Sequence, residues 1–196
     1  MAERVVSHWC TVHAILLLVA IGPATAQTAV GIVEHRVLAT SKTSTMEKEL
    51  NAAAEAGFRF SAVMGGETAF GGNEVVVVMS KGPLRGRYAY RLLATSRTST
   101  MQRELQQAAD AGYHYRGQTV FETLVGGDEV VVILERDEAA SQNFEYKLFA
   151  TSKTTTLQKE LLQAGLAGYE VIGMTVSKTA LGGSELVAIA RKSRLP

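Results

Sequence analysis

A set of basic and hydroxyl side chains recurs at one spacing in three places along the chain. Each set has a cation, a hydroxyl two residues later and a second cation six residues after the first. The sets are Lys42, Ser44 and Lys48; Arg97, Ser99 and Arg103; and Lys153, Thr155 and Lys159. Cations and hydroxyls beside the free amides of a helix N-terminus are suited to hold phosphate, sulfate or carboxylate. If each set lies at a helix start, the pattern predicts three anion-binding positions.

The second cation of each set opposes the expected helix dipole. In the first helical turns the dipole disfavours a positive charge by about 0.3 to 1 kcal/mol. Four residues further on stand Ala52, Gln107 and Gln163, none of which can form an ion pair. A bound anion would offset that cost. The alternative is that duplication copied a solvated helix start three times.

The sets belong to tandem copies of one unit. The segments ATSKTSTM, ATSRTSTM and ATSKTTTL begin at Ala39, Ala94 and Ala150, which gives a period of 55 and then 56 residues. An Ala-Gly pair and a Gly-Gly-x-Glu motif recur in the same register. A fixed period of this length indicates repeated supersecondary units. We place the copies at residues 30–80, 87–136 and 143–192.

Each copy changes its hydrophobic period in the same order. In the second copy, residues 88–95 alternate as in a strand, and Ser99 to Gln102 has the form of a capping box, as do Ser44 to Glu47 and Thr155 to Gln158. Met101 and Leu105 then follow at helical spacing, and Gly112 is suited to the helix end. We expect a helix from about Ser99 to Ala111, with Leu105 buried on its inward face and Gln106 at a position where alanine should cost little stability.

Two further strands complete the unit. Residues 113–124 and the apolar run 129–134 flank a Gly-Gly turn, and the second of them is apolar on both sides, which predicts a central strand. The expected fold is α+β: three tandem β-α-β-β repeats, with small antiparallel or mixed sheets each covered by one helix. The uncovered face of a sheet needs another copy against it, so we expect a shared core, with a pseudo-threefold arrangement as one option. Residues 80–87 and 136–143 are the predicted linkers.

Residues 1–26 have the pattern of a secretory signal peptide. Arg4 precedes an apolar run at 14–21, and small residues at Ala24 and Ala26 suit a cleavage site. The run is shorter than the roughly 20 residues that span a bilayer, although a retained anchor is the alternative. We therefore expect a periplasmic or secreted protein without a stable membrane span. Cleavage would remove Cys10, the only cysteine, and with it any disulfide or thiolate chemistry.

The remaining polar residues predict no catalytic residue, metal or cofactor. His35 and His114 stand at unrelated positions of their copies, whereas zinc needs three or four convergent ligands. Glutamates recur in the helix and after the glycine pair, at positions that suit solvated or turn-anchoring roles (Glu49, Glu104 and Glu160; Glu74, Glu129 and Glu185).

The extra Gly65-Gly66 of the first copy suggests a bulge. The net charge of +1 predicts no nucleic-acid partner.

The third copy resembles a family of small bacterial domains of unknown function. The resemblance rests on Phe144-Glu145-Tyr146-Lys147, a helix, and Gly168-Tyr169-Glu170-Val171, where the family has tyrosine-glutamate-tyrosine-lysine and glycine-tryptophan-glutamate-leucine. It implies a small β-α-β-β unit and no known activity. Tyr169 departs from the family's tryptophan.

These observations favour a non-enzymatic binding or assembly module whose partner is a small anion, an acidic glycan or another protein. The alternative is a hydrolase acting on a surface glycan or phosphoester. That activity would require acidic or basic groups from different copies to meet in one cleft.

Overall fold

The computed structural model describes residues 32–68, 72–83, 86–95, 97–122, 128–140, 142–178 and 183–194. The predicted signal peptide lies outside these ranges.

Each copy consists of a strand, a helix and two more strands. The first has β1 (Glu34–Thr40), α1 (Thr43–Glu55), β2 (Arg59–Thr68) and β3 (Gly72–Lys81). The second has β4 (Tyr88–Thr95), α2 (Thr98–Asp110), β5 (His114–Glu122) and β6 (Asp128–Asp137). The third has β7 (Asn143–Thr151), α3 (Thr154–Leu166), β8 (Glu170–Lys178) and β9 (Ser184–Arg194). The strands extend into the predicted linkers, because β3 continues to Lys81 and β6 to Asp137.

The last strand of each copy is the central one. The three antiparallel sheets have the orders β1-β3-β2, β4-β6-β5 and β7-β9-β8. The α+β class and the central position of the apolar strand are therefore confirmed. This strand is apolar on both sides because two different layers cover it: Val130 and Val132 of β6 face α2, while Val131 and Ile133 face the first copy.

Glycine ends every helix as predicted. Gly57, Gly112 and Gly168 have φ of +88°, +80° and +85°. In the first copy, the amide of Phe58 returns to the carbonyl of Ala53 at 3.0 Å, which satisfies one of the last helical carbonyls. This left-handed turn leads directly into the second strand.

The copies are stacked in sequence order. Helix α1 packs against β4 of the second copy and α2 against β7 of the third. The first core joins Met46 and Leu50 of α1 to Val77 of its own sheet and to Ile133 of the next. The second core repeats this arrangement with Leu105 between Val132 and Ile189. Helix α3 packs on strands of its own copy, β7, β8 and β9. Among the described residues the copies follow one another in a linear stack, in place of the pseudo-threefold arrangement that the sequence offered as one option.

The predicted bulge is at the wrong place. Gly65 and Gly66 pair regularly with Val75 and Glu74, whereas the register of β2 shifts between Phe60 and Ala62. The other copies have the same shift between Tyr115 and Gly117 and between Val171 and Gly173. Gly65 has another role: a Cβ there would lie 2.1 Å from the carbonyl oxygen of Val120, so its absence lets β5 approach β2 closely.

Candidate functional site

The three helix starts place the first cation of each set at the N-cap. Lys42, Arg97 and Lys153 have extended backbones, with φ of −129°, −113° and −118°, and none of the three N-cap side chains makes a capping hydrogen bond. The predicted capping boxes are wrong, because each helix begins two residues earlier than the box requires. Ser44, Ser99 and Thr155 consequently lie in the first turn instead of capping it.

A threonine two residues earlier fixes the chain's entry into each helix. The amide of Lys42 donates to Thr40 Oγ1 at 3.1 Å, and Arg97 and Lys153 repeat the bond to Thr95 and Thr151 at 3.1 and 3.3 Å. The amide of Met46 donates to the carbonyl of Lys42 at 3.1 Å, which begins the helical ladder. The amide of Thr45 also donates to the carbonyl of Lys42 at 3.0 Å. The amides of Thr43 and Ser44, ahead of this bond, have no acceptor within the helix.

All six cations are exposed, and the first turn of each helix contains no acidic residue. Within the described residues, no ion pair joins any of the six to a carboxylate. The three helices are separated by intervening sheets of the stack, so the sets form three equivalent positions and do not meet in one cleft. Each can offer first-turn amides, a hydroxyl and the positive end of a helix dipole to an anion.

A second group of helical side chains binds the next copy, and it includes Glu47 and Gln102, which the sequence assigned to capping boxes. Strand β4 is the edge of its sheet, and Glu47 Oε2 accepts a hydrogen bond from the amide of Leu92 at 2.8 Å. Asn51 makes two bonds to Tyr90, one to its carbonyl and one from its amide, each of 2.9 Å. Helix α1 therefore satisfies backbone groups on an edge that would otherwise be open to another strand.

The second copy repeats this edge contact with glutamines. Gln102 accepts from the amide of Leu148 at 2.7 Å and donates to the carbonyl of Tyr146 at 2.9 Å. Gln106 accepts from the amide of Tyr146 at 3.0 Å, a contact that the helical phase did not predict. In the sequence, the edge contact could have been recognised from a pair of amide or carboxylate side chains four residues apart, which recurs in the first two copies.

A buried carboxylate lies at the junction of the first two copies. The Glu135 side chain is 3% exposed and accepts from Arg59 Nη2 at 2.7 Å and from Tyr90 Oη at 2.8 Å. Its hydrogen bond to Arg59 raises the pKa of that guanidinium, and burial raises the pKa of Tyr90. Tyr90 thus stays a proton donor at neutral pH, and its oxygen accepts from the amide of Phe60 at 2.8 Å. The cluster joins two copies through satisfied bonds.

The junction of the second and third copies has a tyrosine at the same position, but a cation stands where the first junction has the buried carboxylate. Tyr146 Oη accepts from the amide of Tyr115 at 2.9 Å, and burial raises the pKa of both phenols, that of Tyr115 to about 12. Arg191 occupies the position equivalent to Glu135 and lies 4.5 Å from the centre of the Phe144 ring. The two junctions share a geometry with different charges.

The histidines have separate structural surroundings. His35 Nδ1 is 2.8 Å from Ser80 Oγ, and the His114 ring meets the edge of Phe144 at a centroid distance of 5.0 Å. Burial lowers the pKa of His114. Across the described ranges, no three His, Cys, Asp or Glu side chains are grouped so that they could hold a metal ion.

One surface cleft does combine acidic groups from two copies. It has a volume of about 480 Å³, and its lining includes Glu55, Lys81, Arg87 and Glu138. Arg87 Nη1 lies 3.9 Å from Glu138, whose side chain is 60% exposed. At the equivalent place in the next junction, Asp110 and Arg194 form an ion pair at 2.9 Å. The cleft thus has Glu55 and Glu138 in one lining, and the partner of Glu138 there is Arg87.

No protein-family model, curated protein or solved structure matches the chain. The resemblance of the third copy to a family of unknown function stays a prediction. In the part of the chain that the structure describes, no helix is long and apolar enough to cross a membrane.

Proposed function

We propose that this chain is a non-enzymatic binding or assembly module of the periplasm or the extracellular space, with anion-binding positions at its three helix starts. The observation that supports anion binding is the recurrence of exposed cations and an acid-free first turn at every helix start. The linear stack makes the module trivalent, since each copy contributes one position. Phosphate, sulfate and carboxylate groups, including those of acidic glycans, have the chemistry that these positions suit.

A thermal-shift panel of phosphate, sulfate, citrate and acidic glycans tests the proposal. A ligand present at one hundred times its dissociation constant raises the free energy of unfolding by about 2.7 kcal/mol. Charge reversal by Lys48→Glu, Arg103→Glu and Lys159→Glu together is expected to abolish the shift. The variant should still fold, because acidic side chains in the first turns favour the helix dipole.

The matched control reverses one exposed cation per copy away from the helix starts. Arg36→Glu, Arg91→Glu and Lys147→Glu change the net charge by the same amount in the first strands of the three copies. This variant should keep the anion response. If no anion raises the midpoint of the native protein, or if both triple variants respond alike, the helix starts bind no anion and the assembly role stands without it.

The hydrolase is a second candidate, and only the cleft with Glu55 and Glu138 favours it. An assay of chromogenic glycosides and phosphoesters on the native chain tests this activity. Turnover that disappears in Glu55→Gln and Glu138→Gln would replace the binding module by an enzyme. The binding proposal expects no turnover.

The proposed location depends on removal of residues 1–26. N-terminal sequencing of exported protein should give Gln27 as the first residue. Intact Met1 in a membrane fraction would contradict both cleavage and the location.

A further inference from the structure

The two ends of the stack expose the faces that meet inside it. The leading face is the side of the first sheet opposite α1, with Val37, Ala62 and Met64. The trailing face is the outer side of the third copy, with Leu162, Leu166, Val171, Met174 and Val176. Val37 and Met64 are each 64% exposed, and the five trailing residues are 45% to 84% exposed. Contiguous exposed apolar surface of this kind marks an interaction site.

Inside the chain, every trailing face is covered by the leading face of the next copy, and an aromatic side chain fits over a glycine at each junction. A Cβ at Gly117 would lie 3.0 Å from the ring of Phe60, and a Cβ at Gly173 would lie 2.1 Å from Tyr115 Oη. The glycines belong to the leading faces and the aromatics to the trailing faces. The same contact is thus made twice by one chain.

At the two exposed faces, the residues at these equivalent positions differ in size in complementary ways. By the repeat register, Val171 replaces Phe60 and Tyr115, and Ala62 replaces Gly117 and Gly173. On the trailing face, valine is smaller than the aromatic side chains of the internal junctions. On the leading face, alanine adds one methyl group where the internal junctions have glycine. Both changes go in the direction that keeps the two surfaces complementary.

Of the two helix positions that bind the edge strand at the internal junctions, only one keeps a hydrogen-bonding side chain at the end of the stack. Gln158 stands where Glu47 and Gln102 bind the edge strand, and β1 presents the equivalent edge with the amide of Val37. Leu162 replaces Asn51 and Gln106, and Leu166 replaces Glu55 and Asp110. This end of the stack therefore has one edge-binding side chain and more apolar surface than the internal junctions.

We infer that the trailing face of one chain packs on the leading face of a second copy of this chain, continuing the internal stack. The occupant is a second copy because a single contact of this type covers both exposed faces, which a symmetric dimer through the trailing face would not do. Such a contact joins different surfaces, so it extends into a ring or an open filament. The inference names the partner in the assembly role proposed above and rests on it, but it is independent of anion binding.

Size-exclusion chromatography with light scattering on two blocked variants tests the contact, in buffer without multivalent anions. Ala62→Glu blocks the leading face and Val171→Glu the trailing face. The native chain should exceed the single-chain mass in a concentration-dependent way, and each variant alone should have the single-chain mass. An equal mixture should form a complex of two chains and no larger species, because it retains one open face of each kind.

A size exchange provides the second arm. Val171→Tyr alone should weaken association at least tenfold, because the larger side chain meets Ala62, and adding Ala62→Gly should restore it. Circular dichroism and the thermal midpoint of every variant show that it is folded. A native chain that stays at the single-chain mass up to high concentration would overturn the inference. So would a dimer that persists in Ala62→Glu, since that result indicates a symmetric contact through the trailing face.

Discussion

The side chain of Asn51 and the backbone of Tyr90 are joined by two hydrogen bonds of 2.9 Å across the boundary between the first and second copies. The helix of one unit thus takes the place of a neighbouring strand on the edge of the next. The fold does not leave that edge open to another chain at this junction.

Replacing Asn51 by leucine should destabilise the chain. The substitution removes both bonds and leaves the amide and carbonyl of Tyr90 without these partners, at a cost of roughly 1 to 3 kcal/mol for each buried group left unsatisfied. Urea denaturation measures the loss. Ala52→Ser, at the adjacent exposed position, is the control and should have little effect. Equal midpoints for the two variants would contradict the edge contact.

Leu105→Ala should cost about 2 to 5 kcal/mol in the free energy of unfolding. Leu105 is fully buried between the second and third sheets, and its truncation leaves a cavity in that core. Gln107→Ala is the appropriate control because Gln107 is exposed on the same helix. Gln106 is not a suitable control, since it binds the edge of β7.

The adjacent glycines of β2 should respond differently to alanine. A Cβ at Gly65 would collide with the backbone of Val120, whereas a Cβ at Gly66 meets no atom within 4 Å. Gly65→Ala is expected to lower stability by about 1 to 3 kcal/mol through overpacking. Gly66→Ala should leave the denaturation midpoint nearly unchanged. The reverse order of effects would show that β2 and β5 do not approach as described.

Stability should fall as the pH decreases from 7.5 to 5.5, in part through His114. Burial lowers the pKa of His114 in the folded state below the ordinary value of 6.5. The unfolded chain therefore takes up a proton in this range that the folded chain resists, which favours unfolding at the lower pH. His114→Phe should reduce the slope of stability against pH, as followed by denaturation at several pH values. An unchanged slope in His114→Phe would contradict this origin of the pH dependence.

The sequence by itself determined the unit and its number of copies. The helix near Ser99 to Ala111, the terminal Gly112 and the central apolar strand follow from patterns that span a few residues each, and the period repeats them. Such local preferences act in the same direction as the packing, so they can be interpreted without knowledge of distant contacts.

Only the tertiary structure decided what the polar side chains bind. Glu47 and Gln102 matched a local capping motif, yet each accepts a bond from an amide 45 or 46 residues away. The linear order of the stack and the close approach at Gly65 likewise depend on how one copy meets the next. These contacts join residues far apart in the chain, and their geometry exists only once both sheets have formed, which is why periodicity and spacing could not specify them.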